Sequence, residues 1–160
     1  MASTAGDGPL VDLLSRAERR ISTRLAAVLA AEDSTLDEWR VLSLLARRGG
    51  QSMSAIATAT LLPPPTLTKR IDGMVADGLV HRRVDDTDRR RVLVLLAPRG
   101  RTAHDRLARH VHEENVRIGH LAVSSGLDIS DLTGLLAELV DVLSTPSGTP
   151  TSGARPAVGL

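Results

Sequence analysis

The chain has 160 residues and a formal net charge of +1, a length that suits one domain with its own buried core. Cysteine is absent, which excludes disulfide frameworks, thiolate nucleophiles, thiol redox sensing and cysteine zinc sites. Phe and Tyr are also absent and Trp39 is the only aromatic side chain apart from histidine, so stacking on bases or sugars is not expected and the core must be aliphatic. The longest apolar run, Leu25 to Ala31, is far too short to span a membrane. The opening residues show no secretory pattern, so a cytoplasmic location is expected. Charge is unevenly spread. Residues 69–109 hold eleven basic and six acidic side chains, whereas residues 110–160 hold two basic and six acidic. A basic block of this kind suits either a polyanion or a solvated, ion-paired face.

Residues 1–8 read as a disordered start and residues 145–160, rich in Pro, Gly, Ser and Thr, as a disordered tail. Between them, residues 9–144 read as one mainly α-helical domain with a small β-hairpin. The first helix, 10–31, places Leu10, Leu14, Ala17, Ile21, Leu25 and Val28 on one face. A second helix starts at the capping box of Thr35 and Glu38, runs to about Arg48 and buries Trp39, Leu42, Leu45 and Ala46 before Gly49-Gly50 ends it. Ser54 is the expected cap of a short third helix, Ala55 to Thr60. The run Leu61-Leu62-Pro63-Pro64-Pro65 interrupts the chain. The fourth helix then starts at Pro65, or at Pro64 against the restriction that Pro65 imposes on it. Leu67, Ile71 and Met74 form its inward stripe, and Gly78 is placed as its C′ residue.

Leu79 to Val84 and Arg91 to Leu96 read as two strands joined by the polar loop 85–90. Long helices follow at about 98–121 and 129–143. In the first of these, Ala103, Leu107, Val111, Ile118 and Leu121 form one face.

A short helix, a tight break, a second helix and a basic-tipped hairpin make a winged helix-turn-helix, here residues 35–97. Its second helix fits the major groove of double-stranded DNA, and its hairpin reaches the adjacent minor groove or backbone. Pro65, Thr68, Lys69 and Asp72 lie opposite the inward stripe, with Thr66 and Arg70 flanking it. Of Arg89, Arg90 and Arg91 at the hairpin tip, at least one is expected on DNA. Asp85, Asp86 and Asp88 lack the glycine and closing glutamate of a calcium loop and are expected to pair with these arginines. His104, His110, His112 and His120 include no i, i+4 pair, so no metal site and no cofactor are expected. None of the common catalytic or phosphate-binding motifs is present, and an enzyme is not expected.

The segment Met53 to Ala57, Thr66 to Asp72 and Asp77 to Val80 resembles the helix-turn-helix of MarR-family transcriptional regulators. Asp88 to Leu96 resembles the family's wing signature D-x-R-x-x-x-V-x-L, and Ala97-Pro98-Arg99-Gly100-Arg101 stands where T-x-x-G-R is usual. The resemblance spans roughly residues 10–143. It implies a homodimer held by helices 10–31, 98–121 and 129–143, acting as a sequence-specific repressor on an inverted-repeat operator. It places Thr68 and Lys69 on DNA, makes Arg90 the wing arginine, and makes Asp88 the carboxylate that braces the hairpin through an arginine. It also implies a small effector, aromatic or carboxylate, between the dimer region and the DNA-binding lobe, where Trp39 would border the pocket. Other readings are a constitutive or architectural DNA-binding protein without an effector, or a winged-helix module that binds protein. Three departures stand out: Ala97 in place of threonine, Gly73 where a basic residue is common, and the proline triplet, which removes backbone donors from the helix start.

Overall fold

The computed structural model describes residues 9–144, so the two expected disordered ends, 1–8 and 145–160, lie outside the described residues. The elements run α1 (Leu10–Ala30), α2 (Leu36–Arg48), β1 (Gln51–Ser52), α3 (Met53–Thr60), α4 (Pro64–Ala76), β2 (Val80–Val84), β3 (Val92–Leu96), α5 (Pro98–Ser124) and α6 (Ile129–Ser144). The architecture is mainly helical, with a small antiparallel sheet as the wing. Two compact units divide the chain within α5, one ending at Arg117 and the other starting at Ile118.

In the first unit, local chemistry sets most boundaries. The Thr35 hydroxyl accepts the Glu38 N–H at 3.2 Å, and the Glu38 carboxylate accepts the Thr35 N–H at 3.0 Å, which completes the capping box of α2. Gly49 ends α2 at a φ of 72°. At the end of α4, the Gly78 N–H donates to the Val75 carbonyl and the Leu79 N–H to the Met74 carbonyl, with Gly78 at a φ of 67°. These two bonds form a Schellman motif, which needs a left-handed residue where glycine stands.

Several expectations are corrected. The cap of α3 is Ser52, whose hydroxyl accepts the Ala55 N–H at 3.2 Å. Ser54 sits inside the first turn and shares a 3.1 Å hydrogen bond with the Ser52 hydroxyl. The reason is β1, a two-residue strand too short to show a pattern, which holds Ser52 extended against β3. Strand order is β1-β3-β2, all antiparallel, with Gln51 opposite Val94 and Val80 opposite Leu96. Of the helix's two possible starts, α4 takes Pro64. Pro63 stays extended (φ −57°, ψ 141°) and meets the restriction set by Pro64, whereas Pro64 is helical against the one set by Pro65.

The core is aliphatic throughout, built around Leu29, Val41, Leu42, Leu45, Ile56, Leu67, Ile71, Met74, Val80, Val94 and Leu107. In α2, Val41 and Leu44 are buried as well as Leu42 and Leu45, whereas Trp39 and Ala46 are half-buried. α2 is covered on more than one side, and a single-stripe reading understates that. In α1 only Leu29 is buried; Leu10, Leu14 and Ile21 are exposed. Glu114 is an exception to the apolar core. Only 3% exposed, it receives Arg24 Nε at 2.6 Å and Arg117 Nη1 at 3.1 Å.

The second unit contains the end of α5 and α6. No residue of α6 is buried, and Leu132, Leu135, Leu136, Val140 and Leu143 are all exposed. No described helix is long and apolar enough to cross a membrane.

Candidate nucleic-acid interface

The helix-turn-helix is α3, a tight turn and α4. Leu61 makes the turn, in the left-handed region at φ 58° and ψ 23°. Leu67, Ile71 and Met74 anchor α4 in the core, which fixes its rotation and leaves Pro65, Thr66, Thr68, Lys69, Asp72 and Gly73 exposed. Lys69 has no ion pair among the described residues, so its charge is available to a ligand. The Thr68 hydroxyl donates back to the Pro64 carbonyl at 3.0 Å.

Arg70 is placed differently from the other expected contacts. Its guanidinium turns to α2 and lies 3.5 Å from Glu38 and 3.9 Å from Asp37. Its Nε is buried without a hydrogen-bond partner. In this position Arg70 ties α4 to the start of α2. Glu38 thus serves both the capping box and Arg70, a double use that local spacing does not reveal. A second tie, Arg82 Nη2 to Asp72 at 2.6 Å, joins β2 to the exposed side of α4 and sets the wing against that helix.

At the wing, the aspartates mostly serve the backbone. Only Asp86 pairs with an arginine, Arg83, at 3.5 Å. Asp85 accepts the Thr87 N–H at 2.9 Å and the Thr87 hydroxyl at 2.7 Å, and these bonds hold its carboxyl below the usual carboxylate range. Asp88 accepts the backbone N–H of Arg90 at 3.0 Å; the bond is to the main chain, not to an arginine side chain. The Asp85 N–H to Arg91 carbonyl bond, at 2.9 Å, and the Arg91 N–H to Asp88 carbonyl bond, at 2.8 Å, close the tip. The expected ion pairs of Asp85 and Asp88 with the wing arginines are therefore corrected. A tight tip leaves N–H groups without ladder partners, and short carboxylates take them. Arg89, Arg90 and Arg91 are left exposed, with no ion pair among the described residues.

Gly100 explains one part of the sequence signature. A Cβ there would stand 1.9 Å from the Leu79 carbonyl oxygen, which also accepts the Ala97 N–H at 3.0 Å. Only glycine lets α5 start this close to the entry of the wing.

Residues 33–91, which hold the helix-turn-helix and most of the wing, match the MarR family model. The chain is 27% identical over 133 residues to the HTH-type transcriptional regulator FarR of Neisseria gonorrhoeae, an alignment covering 82% of this chain and 91% of FarR. Over residues 33–91 the chain is similar to MarR-family regulators. Its fold agrees with that of the MarR-family regulator SPO1453 from Silicibacter pomeroyi DSS-3, at a TM-score of 0.73 and 28% identity, covering 86% of this chain and 96% of that one. It also agrees with NadR in complex with 4-hydroxyphenylacetate, at a TM-score of 0.74 and 23% identity, covering 91% and 99% of the two chains. These likenesses agree with the winged helix-turn-helix of α3, α4 and the wing.

The first unit also has an open groove of about 550 Å³, lined by Glu32, Glu38, Leu42, Leu79, Arg99 and Arg106 among others. Arg106 is held by Glu32 at 3.2 Å, and Arg99 has no ion pair among the described residues. Trp39 does not line this groove. Its ring stacks on His104 of α5, with centroids 5.3 Å apart and planes 7° from parallel. Among the described residues, no three His, Asp or Glu side chains are gathered to hold a metal ion.

Proposed function

We propose that this protein is a MarR-type regulator, a homodimeric repressor that binds an inverted-repeat operator in double-stranded DNA and is released by a small organic effector. The observation that carries the reading is the set of free cations on α4 and the wing: Lys69 on α4, and Arg89, Arg90 and Arg91 at the wing tip, all exposed and without carboxylate partners among the described residues. The neighbouring arginines Arg70, Arg82 and Arg83 are paired within the chain. In this reading, Pro65, Thr66, Thr68 and Lys69 enter the major groove, and the wing arginines contact the adjacent minor groove or its phosphates. Asp88 braces the tip by fixing the backbone of Arg90. Arg70 acts through Asp37 and Glu38, holding α4 in place.

The dimer reading is supported by the exposed apolar residues of α1 and α6, which as a monomer would face water. Helices 10–31, 98–121 and 129–143 are its proposed dimerisation region. An aromatic carboxylate is the proposed effector. Support comes from the 4-hydroxyphenylacetate bound to NadR, a protein of the same fold, and from unpaired Arg99 in the groove, which could take a carboxylate. Action in the cytoplasm and the absence of catalysis belong to the same reading.

The test is a footprint on DNA selected from a random duplex library. Two protected half-sites, about 10 bp apart centre to centre, are expected. Lys69→Ala should weaken binding and change the selected sequence. Arg90→Ala should weaken binding with little change in sequence and lower the salt slope by about one. Wild-type binding by Arg90→Ala at physiological salt would remove the wing from the interface. Release by no organic compound would leave a constitutive repressor.

A further inference from the structure

The start of α4 is apolar and short of hydrogen-bond donors. A helix ordinarily leaves the N–H groups of its N-cap and first three residues free. Here those positions are Pro63, Pro64, Pro65 and Thr66, so three of the four donors do not exist. The next amide, Leu67 N–H, is already bonded to the Pro63 carbonyl at 2.9 Å. No side chain caps the helix, and the Thr68 hydroxyl donates inward to Pro64. Thr66 is therefore the only donor left in the first turn. Around it the surface is hydrocarbon: Pro63, Pro64 and Pro65 are exposed, and Leu61, in the preceding turn, is 87% exposed. Such a surface cannot clamp a phosphate through backbone amides, the common use of a helix start facing DNA.

The same turn is flanked by the free cation of Lys69, and the wing arginines lie on the same unit, so a polyanion is the occupant its surroundings favour. In the major groove only thymine offers a hydrocarbon group, its 5-methyl. Thymine adds an O4 acceptor, whereas guanine, adenine and cytosine offer only donors and acceptors there. A proline ring set against those groups takes them from water and returns no hydrogen bond. We propose that Pro64 and Pro65 are specificity-determining residues that select a thymine in each operator half-site by apolar contact with its 5-methyl group and disfavour G·C at that position.

The proposal rests on the DNA-binding reading, and the test separates the two. An operator is selected from random duplex DNA, and each thymine in its half-sites is then replaced by deoxyuridine, which removes only the methyl. One thymine per half-site, at the same place in both, should lose about fourfold in affinity, and about sixteenfold when both are replaced. Other thymines should show no change. Pro65→Ser and Pro64→Ser, checked for folding by circular dichroism, should bring the deoxyuridine effect at that thymine towards unity. A defined operator whose affinity is insensitive to deoxyuridine at every thymine overturns this inference and leaves the DNA-binding reading intact. Selection of no sequence at all overturns both. The deoxyuridine series on the unaltered protein decides the matter even if a proline variant does not fold.

Discussion

Gly100 and Glu114 are single positions where the packing admits little substitution. A Cβ at Gly100 would collide with the Leu79 backbone, which cannot rotate away as a side chain can. Gly100→Ala should cost about 1–3 kcal/mol or prevent folding, and a melting temperature equal to the wild type would contradict the close approach. Glu114 is pushed up by burial, but the hydrogen bonds and charges of Arg24 and Arg117 outweigh this and hold its carboxyl below the ordinary glutamate value. A carboxyl depressed in the folded chain stabilises it above the unfolded value, about 4.3, and that contribution is lost as pH falls through the folded value. Glu114→Gln should therefore melt earlier than the wild type at neutral pH, and the gap should close as the pH is lowered below about 4.3. A gap independent of pH would assign the loss to packing and not to charge.

At the scale of the element, α4 combines firm anchoring with a weak middle. Leu67, Ile71 and Met74 fix its inner face, and the Schellman motif closes its end. Gly73 lies between them on the exposed side, where an added Cβ meets nothing within 4 Å. A glycine inside a helix costs about 0.5–1 kcal/mol relative to alanine. Gly73→Ala should raise the melting temperature by about 1–4 °C. Gly73→Arg restores the basic residue common in the family and should steepen the salt dependence of operator binding by about one unit. If Gly73→Arg leaves that slope unchanged, this side of α4 does not face a phosphate. The wing is fixed in another way, through Arg82 to Asp72 and through the carboxylates that take the backbone donors of its tip.

For the whole molecule, the exposed apolar residues of α1 and α6 bear on assembly. Leu14 and Ile21 on α1, and Leu135 on α6, stay 36%, 42% and 65% exposed in a single chain. A two-fold dimer would bury the same surface from each copy. The wild type should sediment as a dimer at micromolar concentration. Ile21→Asp and Leu135→Asp should shift it towards monomer and lose operator binding while helix content is kept. A wild type that is monomeric and still protects two half-sites would separate assembly from DNA binding.

Most of the element order was legible in the sequence because its signals are local. The Thr35–Glu38 box, the glycines after α2 and α4, the stripe of Leu67, Ile71 and Met74, and the two strands of the wing each lie within a few residues of their cause. The family motif was legible for the same reason. What the sequence could not determine is where each polar or apolar side chain is spent. Arg24 meets Glu114 across 90 residues, and Arg70 meets Glu38 across 32. Arg82 is taken by Asp72, Asp85 and Asp88 by backbone, and Trp39 by His104. β1 exists only because β3 lies beside Gln51 and Ser52, and it moves the cap of α3 from Ser54 to Ser52. Periodicity and caps are properties of neighbouring residues, so the sequence carries them. Which arginine stays free to meet a phosphate depends on which carboxylates the packing brings within reach, and only the tertiary structure decides that.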